Sequence, residues 1–79
     1  MLSPLDRDRN ARQRIVRVAR HDLAEGLRAI RRGDCEDADA VVVRLQGDLE
    51  EFGRQLRTRE RTAIWRATNK LVDAVRACR

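Results

Sequence analysis

Apolar positions recur at three- and four-residue steps in three stretches of the chain, separated by short polar breaks. That period marks helices that each bury one face. In the first stretch Val16, Leu23 and Ile30 fall on one line, with Ala19 and Gly26 beside it and Ile15 and Leu27 widening it. Large residues next to small ones let another helix come close, which accounts for a glycine in mid-helix that otherwise costs about 1 kcal/mol against alanine. Ser3-Pro4-Leu5-Asp6 supplies a cap, a first-turn proline and an early acid. Gly33 supplies a left-handed stop, so this helix is predicted to run from about 4 to 32.

The second stretch has the cleanest seam: Cys35, Ala38, Val42, Leu45, Leu49, Phe52 and Leu56, alternating steps of three and four. Asp34, Glu36 and Asp37 suit the positive end of a helix. Asp48 with Glu51 resembles a capping box and offers a break at Gly47. The unbroken apolar phase favours one helix over about 35–57. In the third stretch Ile64, Leu71 and Cys78 share a line, with Ala67, Ala74 and Val75 beside them. Leu56 to Ile64 is one residue longer than a heptad. A turn with Thr58 as cap explains the slip and starts a helix over about 59–78; one long, locally deformed helix is the alternative. The expected fold is all-α, an antiparallel three-helix bundle, with residues 1–79 forming a single domain.

Composition supports a marginal core. Nineteen of the 79 residues are Val, Ile, Leu or Phe. That is enough for packing, but near the lower size limit for a self-sufficient domain. A disulfide, a metal or a second copy is the usual supplement. Cys35 and Cys78 lie far apart in sequence and read as reduced thiols. A bridge between them requires the start of the second helix to meet the C-terminus. Two Cys and His21 make a poor metal set, so no metal or cofactor is expected. Val41, Val43 and Val72 lie off their seams, more apolar surface than a lone bundle readily covers. Self-association through the large-small stripe is therefore expected.

Charge separates by segment. Residues 1–32 carry nine basic and four acidic groups, 33–57 three and seven, and 58–79 six and two. An acidic helix between two basic ones is expected. Of the 18 basic residues all but Lys70 are Arg. Arg7, Arg14, His21 and Arg28 recur every seven residues opposite the apolar stripe, flanked by Arg17 and Arg31. From Arg7 to Arg31 this row spans about 36 Å. It suits phosphate or carboxylate contact, or is simply solvated. Nucleic-acid binding otherwise lacks support: Phe52 and Trp65 are the only aromatics, and no helix-turn-helix, zinc-finger or Gly-rich phosphate motif occurs.

Trp65 lies off the seam near Arg61, Arg66 and Asn69, the composition of a binding hot spot. Its alternative role is internal, with the indole lying over the turn between the second and third helices. Catalysis finds little: one His, one Ser and no Tyr. His21 and Glu25 share a face, as many inert pairs do. Cys35 stands among acids on a buried seam, so a structural thiol is the better account. Asp34, Glu36, Asp37 and Asp39 lack a calcium-loop pattern and read as capping.

His21-Asp22-Leu23-Ala24-Glu25-Gly26-Leu27 resembles the H-box of histidine-kinase dimerisation hairpins, which usually have Pro where Gly26 stands. That resemblance implies a phosphoacceptor role for His21. Gly26 to Phe52, with its "LRAIRRGD…DA" wording, is similar to the first hairpin of translin-like helical RNA-binding proteins over about a third of the chain.

The first functional expectation is a non-enzymatic adaptor, regulator or inhibitor that docks on a protein or on a second copy of itself. Its patch is Trp65, Arg61, Arg66 and Asn69. The alternative is a nucleic-acid accessory protein that uses Arg7, Arg14, Arg17, His21, Arg28 and Arg31. No small-molecule substrate is evident. No stretch is apolar enough for a membrane span. The charged opening does not read as a signal peptide, which gives a cytoplasmic expectation.

Overall fold

A computed structural model describes residues 4–79, with side chains from Arg7 onward. It is a bundle of three helices: α1 (Pro4–Arg31), α2 (Cys35–Phe52) and α3 (Thr58–Cys78). The expected Ser3 cap lies outside the described residues. Gly33 ends α1 in the left-handed conformation at φ 77°. Its amide donates to the Ile30 carbonyl at 3.0 Å. Asp34 caps α2 by accepting the Asp37 amide at 3.2 Å.

Two boundaries differ from the sequence reading. α2 passes through Gly47 unbroken but ends at Phe52, not near 57. The apolar phase continues because Leu56 is buried from within the connecting turn. The cap of α3 is Arg57 rather than Thr58. The Arg57 amide donates to Glu60 Oε1 at 2.8 Å, and Thr58 Oγ1 instead accepts from Arg61 Nη2 at 3.3 Å.

The core is drawn from all three helices: Ala19 and Ala29, then Ala38, Val41, Val42 and Leu45, then Ile64, Leu71 and Val75, closed by Leu56. Leu45, Ile64 and Leu71 are sealed completely. Each contributes about 1.5–3 kcal/mol of apolar burial. Thr68 is also buried, its hydroxyl satisfied by donating to the Ile64 carbonyl at 2.8 Å.

Two expectations, about surplus surface and about the cysteines, are corrected by this packing. Val41 is core, and Val72 packs against the core. A three-helix bundle needs a wider apolar face than a two-helix seam, so the bundle itself absorbs them. Val43 stays exposed, as do Val18 of α1 and Trp65 of α3, among the described residues. The small-residue stripe is consumed inside the monomer: Ala19 is buried, and Leu71 packs where a Cβ on Gly26 would be. Cys35 and Cys78 are joined as a disulfide, with Cα atoms 6.0 Å apart, rather than standing as free thiols. The up-down-up path brings the start of α2 to the end of α3, which supplies the covalent reinforcement a small core needs.

Charge is distributed differently from the expected basic-acidic-basic sandwich. α1 and α3 run parallel and pack directly on each other, shown by Arg12 Nε to Glu60 Oε1 at 3.2 Å and by Leu71 over Gly26. Between α1 and α2 the ion pairs run against the helix-level charges. Arg44 of the acidic helix reaches Asp22 at 4.0 Å and Glu25 at 3.5 Å on the basic one. Among the described residues only Asp39 to Arg79, at 3.4 Å, joins the acidic helix to the end of a basic one in the expected sense.

Candidate functional site

The end of α2 and the start of α3 diverge around Gly53, and the gap is an open groove of about 560 Å³. Leu49 forms its apolar floor, with Glu50 and Arg54 on one wall and Arg61, Thr62 and Trp65 on the other. The groove exists because α2 stops early. A Cβ on Gly53 would meet the backbone of Leu49, so the residue at this stop must be glycine or shift the chain. Arg61 Nη2 donates to Thr58 Oγ1 at 3.3 Å.

Trp65 is 57% exposed on this wall, so the indole does not close over the turn as an internal plug. Trp65 and Arg61 both line the groove. Arg66 and Asn69 are not among its walls. Arg66 is exposed and Asn69 half-buried. Arg54 and Glu50 were not anticipated. Glu50 comes from the last turn of α2 and Arg54 from the turn that follows, and both line the groove with Trp65.

Arg7, Arg14, Arg17, His21, Arg28 and Arg31 are all exposed on α1. His21 has no ion-pair partner among the described residues, and Glu25 pairs with Arg44 instead. The acids at the start of α2 form no metal cluster. Among the described residues no group of three or more His, Cys, Asp or Glu converges as a metal site would require. Asp34 serves as the cap. It raises the Asp37 carboxyl above its ordinary range, first by their hydrogen bond and then by its charge. Asp48 is likewise raised, chiefly by burial, then by the charges of Asp22 and Glu51, with Arg44 opposing.

No described helix is long and apolar enough to cross a membrane. Comparison with protein-family models, curated proteins and solved structures gives no match.

Proposed function

We propose that this chain is a non-enzymatic interaction protein whose groove at the α2–α3 turn seats an acidic, amphipathic segment of a partner protein. The observation that carries the reading is Trp65, an indole more than half exposed on the wall of an open groove. Exposed tryptophan beside arginine is the composition of residues that dominate binding energy. Charge selects the occupant. Arg54 and Arg61 border the groove against one acid, Glu50. A segment with one or two large apolar side chains flanked by carboxylates satisfies both the Leu49–Trp65 surface and the guanidinium groups. The role that follows is adaptor, regulator or inhibitor, acting by occupancy rather than by chemistry.

Trp65 is the only tryptophan, so its emission reports the groove directly. The test titrates the protein with a synthetic helical peptide carrying Leu and Phe on one face and Glu on the other. A saturable blue shift is expected, absent with the same peptide carrying Lys for Glu. No shift with the acidic peptide, or an equal shift with the basic one, would overturn the proposal.

A further inference from the structure

On the opposite side of α3 from Trp65, two adjoining clefts run along the junction of α1 and α3. One, of about 380 Å³, is lined by Arg9 and Arg12 of α1 and by Arg57 and Arg59. The other, of about 400 Å³, continues along α1 past Arg17 and Arg20 and has Val16 and Ala63 in its floor. Gln13, Arg59 and Glu60 belong to both. Six arginines thus share one trough with a single carboxylate. That carboxylate is engaged already: Glu60 Oε1 accepts the Arg57 amide at 2.8 Å and faces Arg12 Nε at 3.2 Å.

Arg12 carries the second observation. Its side chain is only 16% exposed. Its Nε is sealed from solvent yet makes no well-aimed hydrogen bond, the contact with Glu60 notwithstanding. Pinned against Glu60, this guanidinium is held in the wall, which lowers the ordering cost of binding an anion beside it. The crowding follows from the fold: the two basic helices lie side by side, so their arginines converge with little acid to separate them. The first turn of α3 adds the positive end of a helix at the same place.

We infer that this trough binds the phosphate backbone of a nucleic-acid strand. From Arg9 to Arg20 it runs about 16 Å along α1, longer than one phosphate needs. Its two halves differ, one walled almost wholly by charge and one with an aliphatic floor. A strand that alternates phosphate with sugar matches that alternation better than a bare anion does. No aromatic lines either cleft, so recognition is of the backbone, insensitive to sequence and steeply salt-dependent. The trough shares Arg17 with the outer row of α1 but includes none of Arg7, Arg14, His21, Arg28 and Arg31, and its fate is independent of the Trp65 groove.

The test measures fluorescence anisotropy of a labelled single-stranded oligonucleotide at two salt concentrations. Two charge-matched variants are compared: Arg20→Glu with Arg59→Glu in the trough, and Arg28→Glu with Arg31→Glu on the outer face. Circular dichroism verifies that each stays helical. Should the trough pair melt, Arg20→Gln with Arg59→Gln replaces it. The trough variant is expected to lose at least tenfold in affinity, or fivefold for the Gln pair, and the outer-face variant less than threefold. The dependence of log affinity on log salt becomes shallower by about 1.4 for two lost contacts. Equal losses in both variants would show a diffuse field rather than a site. No binding at low salt, or tighter binding of inorganic tripolyphosphate than of the oligonucleotide at equal phosphate concentration, would also overturn the inference.

Discussion

Leu71 of α3 occupies the space that a side chain at position 26 of α1 would fill: a Cβ built on Gly26 falls 2.6 Å from Leu71 Cδ2. Leu71 has no solvent exposure through which to retreat. Gly26→Ala therefore gains about 1 kcal/mol of helix propensity but overpacks a closed core at a cost of about 1–3 kcal/mol. A net loss of about 1 kcal/mol is expected in urea unfolding. At Gly47 nothing lies within reach of an added Cβ, so Gly47→Ala should stabilise by about 0.4–1 kcal/mol. A gain of the same size from Gly26→Ala would show that α1 and α3 do not pack this closely.

The bond between Cys35 and Cys78 closes a loop with a sequence separation of 43. Chain-entropy arguments give about 4 kcal/mol for a loop of that length. Reduction, or Cys35→Ser with Cys78→Ser, is expected to lower the unfolding free energy by about 2–4 kcal/mol and to shift the melting point down accordingly. Unchanged melting in the presence of reductant would mean that the thiols are not joined in solution.

Asp48 sets a pH dependence whose sign is fixed by its surroundings. Its folded-state pKa is raised above 3.8, mainly by burial and then by Asp22 and Glu51. A carboxyl raised on folding weakens the fold when ionised, so its penalty is fully present above the folded pKa and disappears as pH falls below the unfolded value. Asp48→Asn should therefore be more stable than the parent at pH 7, with the gap closing toward pH 3. A gap that instead widens on acidification would mean that the carboxylate is stabilised by Arg44 rather than penalised.

The register of the fold was legible in the chain; the side-to-side geometry was not. Ala38, Val42, Leu45 and Leu56 stand on the predicted seam and are buried. Val41 lies off the seam yet is buried, because a two-helix seam is narrower than the face a third helix covers. The end of α2 was placed late because burial of Leu56 preserves the apolar phase through a turn that is no longer helix. Asp22 and Thr68 are buried polar residues that periodicity does not mark. One is reached by Arg44, and the other satisfies itself on the preceding turn.

The candidate sites divide the same way. Trp65 and Arg61 are four residues apart on one helix, so their proximity could be read directly. Arg54 joins them through the path of the connecting turn, whereas Arg12 meets Glu60 only through long-range packing. The trough of arginines depends on α1 and α3 being parallel neighbours. No local pattern encodes that, and the charge blocks pointed the other way.

The most direct test of the docking role is the pair of numbers given by Trp65→Ala: its unfolding free energy and its affinity for the acidic peptide. With the indole 57% exposed, stability should change by less than about 1 kcal/mol. Affinity should fall at least tenfold, the mark of a hot-spot residue. A loss of several kcal/mol in stability with affinity intact would make Trp65 a brace for the α2–α3 turn, not a contact.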